Sequence, residues 1–482
     1  MTNEVELDFP LHPKQLEAFF SQATEILYGG AAGGGKSHFL RVAAIAFAYL
    51  IPGLQVYLFR RLSPDLLKNH MEGPTSFPVL LAEWVDMGFA KINYTENSIA
   101  FRNGKNNGFA GGSKIFLCHC QYEKNMYSYQ GAEIHLLLFD ELTHFTDKIY
   151  RYLRGRLRLG GLKVPEEYQG IFPRVISGAN PGGVGHNWVK ASFVDGCDPM
   201  EHRRMEKEEG GMLRQYIPAK LTDNPTLMEN DPDYADRLSA LGSPELVKAM
   251  LEGDWDIISG GMFDDVFSRD VHVIKPFRPP KTWKINRSFD WGSSKPFAVG
   301  WWAESDGTEA TMTDGTKRIF PPGTLFRIFE WYGWDGKTPD KGIKMSAKEI
   351  AKGIKEREAK FSFKVMPGPA DSSIWTEENK NCINDDFESE DVYWQKANKK
   401  PGSRINGWEK MRGMFKACFE FPMEEPGLFV FSNCFQFIRT IPTLPRDETK
   451  HDDVNTHAED HIGDETRYRV LETSVTTGRD LS

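Results

Sequence analysis

The chain has 482 residues, of which 40% are hydrophobic and 12% aromatic, and this composition is typical of a globular protein and not of a disordered one. The length predicts about three ordinary domains or two large ones. The net charge of −9 excludes a uniformly basic nucleic-acid-binding surface, so any contact with DNA must come from local basic stripes.

The N-terminal sequence predicts neither a secretion signal nor a membrane span. The first eight residues, MTNEVELD, are acidic, and the longest apolar run, residues 42–51, is too short to cross a bilayer. The six cysteines include no C-x-x-C pair, which suits a reducing, intracellular compartment. Cys118 and Cys120 alternate along a predicted strand, which favours buried free thiols over a zinc site. We therefore expect a soluble protein without membrane contact.

Residues 30–37, GAAGGGKS, fit the phosphate-binding pattern G-x-x-x-x-G-K-S. The pattern requires a strand before the loop and a helix after it. Residues 25–28 read as a short buried strand, and residues 38–47 read as a helix that is apolar on most faces. The sequence therefore predicts a loop that binds the phosphates of a nucleoside triphosphate.

Each residue type in this loop has a physical role. Gly30, Gly33 and Gly35 let backbone N–H groups turn toward phosphate oxygens, and the start of the helix adds its positive dipole end. Lys36 is expected to hold the β- and γ-phosphates, and the Ser37 hydroxyl to ligate Mg²⁺.

A short helix is predicted just before the loop strand, with Pro13 at its start. The amide of Gln15 can pair with both a donor and an acceptor on an adenine edge. This favours ATP over GTP, although a solvated helix position is the plainer alternative for Gln15.

Two later apolar strands end in polar residues. Residues 135–139, HLLLF, read as a strand covered on both faces of a parallel sheet, and they lead into Asp140 and Glu141. At the carboxyl edge beside the loop, Asp140 would position Mg²⁺ and Glu141 would polarise the attacking water as a general base. Residues 172–177 form a further predicted strand, after which the Asn180 amide could sense the γ-phosphate or serve only as a turn residue.

In combination these segments resemble the ATPase of the large terminase subunit of tailed bacteriophages, the motor that packages DNA. The resemblance covers most of the chain and implies an N-terminal P-loop, RecA-like ATPase domain. It rests on the following segments: Gln15, residues 30–37, FDE at 139–141, SGANP at 177–181, YIPAKLTDNP at 216–225 and LEGDW at 251–255.

One departure concerns arginine. Many members of that family use an arginine near the phosphate loop or one from a neighbouring subunit, and residues 30–37 contain none. Arg151, Arg154 and Arg158 are predicted to share one helical face, either as a stripe facing DNA or a subunit or as a solvated face. The candidates are Arg60, Arg61, Arg151, Arg154, Arg156 and Arg158.

The predicted domain boundaries follow breaks in the pattern. Prolines interrupt a polar helical region after Asp223, and ISGGM at 258–262 predicts a flexible exit, beyond which the periodicity changes. The predicted parts are an ATPase domain at 1–222, a helical linker or lid at 223–262, a nuclease domain at 263–472 and a flexible tail at 473–482.

The second half predicts a ribonuclease-H-like sheet, in the order of three strands, a helix, a strand and a late helix. Asp290 lies in the first strand, and Asp371 follows a later extended segment. The predicted segments are strands at 284–292, 297–302 and 324–331, a helix at 346–360 and the extended segment at 363–371.

A third acid is expected on the late helix. The family ending, an acid followed by Arg-Tyr, favours Asp464, with Asp460 one turn away on the same face as a supporting or substitute ligand. Asp290, Asp371 and Asp464 are expected to converge and to hold Mg²⁺ or Mn²⁺, because hard carboxylates suit these ions. Two such ions could activate water and stabilise the leaving oxygen of a phosphodiester.

Two other features near this site have competing interpretations. His457 and His461 are one turn apart, but the H-E-x-x-H zinc pattern is absent. A basic stretch could line a DNA groove by phosphate contacts or form a solvated face. It comprises Lys396, Lys399, Lys400, Arg404, Lys410, Arg412 and Lys416, with Trp408 among them.

The resemblance, together with the residues above, implies an ATP-driven translocase of double-stranded DNA joined to a metal-dependent endonuclease that cuts concatemers. The resemblance implies docking on a portal protein as a homo-oligomeric ring, with a monomer in solution as the alternative, and a small terminase subunit that chooses the DNA. It also implies a location in the host cytoplasm and transiently on the procapsid. Two alternatives stay open, a helicase–nuclease and a portal-docking ATPase with a vestigial nuclease.

Overall fold

The computed structural model describes residues 9–239, 247, 251–256, 261–336, 340–377, 382–447 and 449–472. The chain divides into two compact units, Met1–Ser259 and Gly260–Ser482. The predicted flexible tail at 473–482 and most of the predicted exit at 258–262 lie outside the described residues.

The first unit is an α/β structure built on one nine-stranded sheet. Its strands are β1 (Glu25–Gly30), β2 (Gln55–Arg60), β3 (Ala90–Asn93), β4 (Ser98–Phe101), β5 (Lys114–His119), β6 (Leu136–Asp140), β7 (Arg174–Ala179), β8 (His202–Arg204) and β9 (Leu213–Ala219). Its helices are α1 (Pro13–Phe20), α2 (Lys36–Leu50), α3 (Ser63–Leu67), α4 (Phe77–Leu80), α5 (Ala82–Asp86), α6 (Asp147–Arg154), α7 (His186–Val189), α8 (Pro225–Asn230) and α9 (Tyr234–Ser239).

The strand order β3-β4-β5-β2-β6-β7-β1-β9-β8 explains the apolar strands. The six central strands run parallel to one another, in the order β5-β2-β6-β7-β1-β9. The pairs toward the two edges are antiparallel, namely β3 with β4, β4 with β5 and β8 with β9. Ile26 and Leu138 face one apolar cluster, whereas Leu27 and Phe139 face the other. Because both faces of the sheet are covered, these strands need apolar residues at every position. One strand, β7, lies between the loop strand β1 and the acidic strand β6, and the predicted α/β fold class is confirmed.

The second unit contains a seven-stranded sheet and a separate two-stranded hairpin. Its strands are β10 (Val273–Ile274), β11 (Lys284–Asp290), β12 (Ala298–Glu304), β13 (Ala310–Thr311), β14 (Lys317–Arg318), β15 (Leu325–Tyr332), β16 (Pro369–Ala370), β17 (Gln395–Lys396) and β18 (Leu428–Phe431). Its helices are α10 (Arg269–His272), α11 (Ala347–Glu358), α12 (Ile383–Glu388), α13 (Ser403–Ala417), α14 (Phe435–Thr440) and α15 (His461–Leu471).

The larger sheet has the order β10-β18-β15-β12-β11-β16-β17. Strands β11, β12 and β15 form an antiparallel meander, and β16 joins β11 in parallel. Helix α15 packs against β11 and β12. The core contains the fully buried Trp301, Trp302 and Trp408. The predicted ribonuclease-H-like order of elements is confirmed.

One local prediction about helical faces is wrong. Helix α6 ends at Arg154 with Gly155 as its C-cap, so Arg158 lies beyond the helix and does not share a face with Arg151. Helix α15 begins at His461, with Asp460 as its N-cap residue. The carbonyl oxygen of Asp460 accepts the N–H of Asp464 at 2.8 Å and both side chains contact Arg404, so these two acids lie one turn apart on the same side, as predicted.

The predicted boundaries inside the first unit stay predictions. Helices α8 and α9, which belong to the predicted lid at 223–262, fall within the same compact unit as the sheet. Among the described residues, no helix has the length and apolarity that a bilayer span requires.

Candidate functional site

Strand register brings the predicted phosphate-binding residues to one edge of the first sheet. Gly178 of β7 pairs with Tyr28 of β1 on one side and with Asp140 of β6 on the other. Because the three strands are parallel, the segments that follow them emerge side by side. The loop after β1, the acidic pair after β6 and Asn180 after β7 are therefore neighbours.

Lys36 is the first residue of α2 and is 7% exposed. Its Nζ donates hydrogen bonds to the carbonyl oxygen of Ala31 at 2.7 Å and to Oδ1 of Asn180 at 2.5 Å. Burial lowers the pKa of Lys36, and the negative charges of Glu141 and Asp140 oppose that shift. A buried ammonium with two uncharged acceptors is suited to take an anion such as a phosphate.

The loop backbone has the conformation that its glycines permit. Gly33 and Gly35 have φ values of +75° and +72°, in the left-handed region that side chains disfavour. A Cβ atom on Gly35 would lie 2.5 Å from Nε2 of Gln15. Gly30 ends β1 with a φ of +129°. These features fit a loop whose backbone N–H groups cradle phosphates.

Gln15 is 1% exposed and links α1 to the loop. Its Nε2 donates to the carbonyl oxygen of Gly35 at 3.0 Å, and its Oε1 accepts from the backbone N–H of His12 at 2.8 Å. The amide therefore braces the phosphate loop, and its role in reading adenine stays a prediction.

Asp140 lies at the end of β6 with no exposed surface. The Ser37 hydroxyl donates to Oδ1 of Asp140 at 3.0 Å, and Nε2 of His70 donates to Oδ2 at 3.0 Å. Burial would raise the pKa of Asp140, but the hydrogen bond from His70, the charge of Arg60 and the hydrogen bond from Ser37 together outweigh burial and lower it. A hydroxyl and an ionised carboxylate in contact are the oxygen donors that Mg²⁺ prefers, so the residues fit this ion.

Glu141 adopts a left-handed backbone with φ +62° and ψ +65°. This conformation is uncommon for a residue with a Cβ atom and turns the chain sharply after β6 into a 3-10 helix at Leu142–His144. The hydroxyl of Thr143 then donates to the carbonyl oxygen of Asn180 at 2.9 Å. The turn thus ties the two acidic residues to the segment after β7.

Two residues at this edge escaped the sequence analysis. His70 contacts Asp140 from a π-helical turn at Lys68–Glu72, and Asn224 donates from Nδ2 to the carbonyl oxygen of Gly33 at 2.6 Å. Asn224 stands in the DNP segment noted for its resemblance and also caps α8 through Leu227 N–H. His70 belongs to no recognisable motif, so only the fold could reveal it.

The candidate arginines have different surroundings. Arg154 donates to the buried Glu25 at 2.7 Å, as does Arg214, which gives Arg154 a structural role. Nη1 of Arg60 lies 3.6 Å from Oδ2 of Asp140. The assignment of an arginine to ATP hydrolysis stays a prediction. Arg151 donates to the carboxylate of Asp147, and Arg156 and Arg158 donate to the carbonyl oxygens of Gln130 and Gly131.

The second unit brings its predicted acids together from distant segments. Asp290 ends β11, and Asp371 directly follows β16, the parallel neighbour of β11. The backbone N–H of Asp371 donates to the carbonyl oxygen of Phe289 at 2.9 Å. Asp464 lies in the first turn of α15, which packs on β11.

The charges of these acids act on one another. Burial, together with the negative charges of Asp464 and Asp371, raises the pKa of Asp290. Burial and the charge of Asp464 likewise raise the pKa of Asp460. Mutual repulsion of this kind is relieved by a bound divalent cation.

Each acid also contacts a protein cation. Nζ of Lys399 donates to Asp371 at 2.5 Å, and Arg404 donates to both oxygens of Asp464 at 3.0 and 2.9 Å. Arg404 also contacts Asp460 at 3.3 Å. Part of the predicted basic stretch therefore neutralises the acidic cluster directly.

His461 lies between two carboxylates. Its Nδ1 donates to Asp290 at 3.2 Å, and its Nε2 lies 3.2 Å from Asp340. Burial opposes its protonation, but the hydrogen bond and charge of Asp290 raise the pKa of His461. His457 precedes α15, so the predicted one-turn spacing of the two histidines is not helical. Asp340 was not anticipated, because it lies in a loop without a pattern.

The donor set suits Mg²⁺ or Mn²⁺ in its chemistry, since it consists of carboxylate oxygens. In the part of the chain that the structure describes, no three acidic, histidine or cysteine side chains stand close enough to hold a metal as they are oriented. Their oxygens point toward Lys399, Arg404 and His461 instead. The predicted metal-binding roles of Asp290, Asp371, Asp464 and Asp460 stay predictions.

Comparisons with known proteins give structural neighbours only. No protein-family model and no curated protein matches the chain. The large terminase of the thermophilic bacteriophage D6E in complex with ADP matches over 96% of this chain and 99% of its own, at 15% identity and a TM-score of 0.40. The HK97 bacteriophage large terminase matches over 96% and 95%, at 11% identity and a TM-score of 0.40.

A third neighbour corresponds to the second half of a terminase. The P22 large terminase nuclease domain matches over 44% of this chain and 90% of its own, at 16% identity and a TM-score of 0.31. Identities and TM-scores this low support no conclusion about activity. These structural neighbours are large terminases of bacteriophages, the family that the sequence motifs resemble.

Proposed function

We propose that this chain is an ATP-driven translocase of double-stranded DNA that also cuts DNA, and that it serves as the packaging motor of a bacteriophage. The observation that carries the proposal is that one chain contains two separate clusters of side chains suited to phosphate chemistry. One comprises the buried Lys36 and Asp140 with the half-buried Ser37, and the other is the acidic cluster around Asp290. A protein that both moves and cuts DNA requires one site for ATP hydrolysis and another for phosphodiester cleavage.

In the ATPase site the residues have separable roles. Lys36 would hold the β- and γ-phosphates, while the backbone from Gly30 to Gly35 wraps them. Ser37 and Asp140 would hold Mg²⁺, which supplies charge neutralisation to the phosphates when bound. Glu141 would accept a proton from the attacking water, and Asn180 would register the loss of the γ-phosphate through its bond to Lys36.

In the nuclease site, Asp290, Asp371 and Asp464 would hold Mg²⁺ or Mn²⁺, with Asp460 in support. Divalent metal bound there would supply an activated water and stabilise the leaving oxygen. Lys399 and Arg404 would turn from the carboxylates to the DNA backbone as metal binds. Their ammonium and guanidinium groups can bind phosphate oxygens as well as carboxylate oxygens.

The partners follow from the proposed role. A packaging motor acts on double-stranded DNA and docks as a ring on the portal protein, where a small terminase subunit delivers the DNA. The chain would work in the host cytoplasm and transiently on the procapsid. The support for this assignment of partners is the resemblance of the motifs at 30–37, 139–141 and 177–181 to those of large terminases.

The test separates the two activities with point variants. Lys36→Ala and Glu141→Ala should lower ATP hydrolysis by roughly 100-fold or more and leave plasmid nicking unchanged. Asp290→Ala should do the reverse, with nicking measured in Mg²⁺ and Mn²⁺ in parallel. Loss of both activities in a folded single variant would contradict the division into two sites.

Two further measurements address the alternatives. A helicase would need a second RecA-like lobe, whereas the second unit has a ribonuclease-H-like strand order. Displacement of a triplex-forming strand without separation of the duplex would support translocation, and strand separation would favour a helicase–nuclease. Absence of nicking by the wild-type protein in Mn²⁺ would favour a portal-docking ATPase with a vestigial nuclease.

A further inference from the structure

His70 is a completely buried histidine whose two ring nitrogens both have polar partners. Nη1 of Arg41 lies 3.3 Å from its Nδ1, and Oδ2 of Asp140 lies 3.0 Å from its Nε2. An arginine guanidinium can only donate hydrogen bonds, so Nδ1 must accept and the single ring proton lies on Nε2. The ring is therefore neutral and donates to Asp140.

Arg41 is held firmly enough to fix that proton. It belongs to α2, is 3% exposed, and also donates to the carbonyl oxygen of Asn69 at 3.2 Å and to Oγ1 of Thr75 at 2.7 Å. Helix α2 also carries Lys36 and Ser37, so these two residues and Arg41 are parts of one helix.

The contacts on Asp140 are divided between its two oxygens. His70 donates a hydrogen bond to Oδ2, which Nη1 of Arg60 also approaches at 3.6 Å, while the Ser37 hydroxyl donates to Oδ1 at 3.0 Å. The hydrogen bond from His70 to Oδ2 restricts rotation of the Asp140 carboxylate. Oδ1 then stays directed toward Ser37, where the proposed Mg²⁺ would bind. Such outer contacts set the orientation of metal ligands in general.

We propose that His70 is a positioning residue that orients Asp140 for divalent metal in the nucleotide site, with its tautomer set by Arg41. The proposal rests on the ATP-binding function proposed above. It does not follow from any of the motifs in the sequence, because His70 lies in the turn at Lys68–Glu72 between β2 and the next strand.

A plainer interpretation is that His70 only fills the core beside Phe77, whose ring lies 6.1 Å away. Three substitutions separate the two roles. His70→Phe keeps an aromatic ring and removes both polar contacts. His70→Gln places an amide N–H near the position of Nε2, whereas His70→Asn is too short to reach Asp140. If only packing matters, Phe should be the best replacement, and if positioning matters, Gln should be.

The experiment measures the Mg²⁺ concentration that gives half-maximal binding of a fluorescent, non-hydrolysable ATP analogue. We expect His70→Phe and His70→Asn to require roughly 10- to 100-fold more Mg²⁺ than wild type, and His70→Gln to stay within about threefold. This readout needs no turnover and is insensitive to metal in the nuclease site. His272→Gln, a change at a buried histidine of the second unit that bonds Ser268 and Phe415, serves as the control and should match wild type.

Each outcome decides the matter. Equal Mg²⁺ requirements in wild type and the Asn variant, or a Gln variant as impaired as the Asn variant while both unfold at the wild-type temperature, would overturn the role of His70. If the Phe variant does not fold, the comparison of Gln with Asn still decides. Failure of wild type to bind the analogue in a Mg²⁺-dependent and Lys36-dependent way would instead refute the proposed function.

Discussion

Nζ of Lys36 donates a 2.5 Å hydrogen bond to Oδ1 of Asn180, although 144 residues separate them in the chain. The bond joins the start of α2 to the segment that follows β7. It places the Lys36 ammonium and a neutral amide in direct contact, so any anion that binds Lys36 must share it with Asn180. This relationship gives the first of four predictions.

Replacing Asn180 with aspartate should weaken ATP binding. The new carboxylate would form a buried ion pair with Lys36 and compete with the phosphates for the ammonium, and its charge would repel them. We expect a Kd for ATP that is higher by roughly 10- to 100-fold, measured by isothermal titration calorimetry in Mg²⁺. Asn106→Asp makes the same change of charge at an exposed site and should leave the Kd unchanged. An Asn180→Asp protein with wild-type affinity would show that the bond is released at no cost.

The Glu141→Gly variant should be more stable than the Glu141→Ala variant. Both variants lack the carboxylate and should lose ATP hydrolysis while retaining plasmid nicking. The φ of +62° disfavours alanine but not glycine. The free energy of unfolding of the glycine variant should therefore exceed that of the alanine variant by about 1 kcal/mol. Denaturant unfolding of the two variants measures this difference. Equal stability would mean that the backbone relaxes out of the left-handed region when the carboxylate is removed.

The roles of the two acids near the start of α15 should differ. Asp464 lies inside the helix, whereas Asp460 caps it, and both contact Arg404. Asp464→Asn should abolish plasmid nicking, while Asp460→Asn should reduce it by roughly tenfold, as expected for a residue that supports a ligand. Binding of Mn²⁺ by calorimetry should follow the same order. A more severe defect in the Asp460 variant would exchange the assigned roles.

Glu25 should make the first unit sensitive to acid. It has no exposed surface and accepts from Arg214, Arg154 and Tyr150. Burial would raise its pKa, but the two arginines outweigh burial and lower the pKa from 4.5 to about 2. The pKa is depressed in the folded state, so the stabilisation is present above pH 4.5 and is lost as the pH falls toward 2.

The shift corresponds to about 3 kcal/mol of unfolding free energy at neutral pH. Glu25→Gln should therefore cost stability at pH 7, and the difference from wild type should shrink progressively below pH 4.5. Thermal unfolding of both proteins across this range tests the prediction. A difference that does not change with pH would assign the effect to packing and not to charge.

Much of the fold was readable from local patterns. The loop at 30–37 and the strand before it carry a motif whose geometry is local. The turn, the start of the helix and the predicted phosphate-binding groups all lie within a few residues of one another. The all-apolar residues of β6 correctly indicated a strand covered on both faces. The predicted helix at 346–360 begins one residue later, at Ala347, with Ser346 as its N-cap residue.

Boundaries were less readable where backbone geometry overrides periodicity. The predicted strand at 172–177 begins at Arg174, because Pro173 has no N–H to donate to a sheet. The predicted continuation of α6 to Arg158 failed because the helix ends before Gly155. In both cases the side-chain pattern continued past the point where the backbone changed.

The sequence by itself determined which segments are predicted to carry phosphate and metal chemistry, since those motifs depend on residues that are close in the chain. Only the tertiary structure decided what surrounds them. His70 beside Asp140 and Asp340 beside His461 come from segments without a motif. Lys399 and Arg404 belong to the predicted basic stretch, but that stretch did not indicate which acids they contact. Their roles arise from strand register and packing, which bring distant residues into contact and which no local pattern encodes.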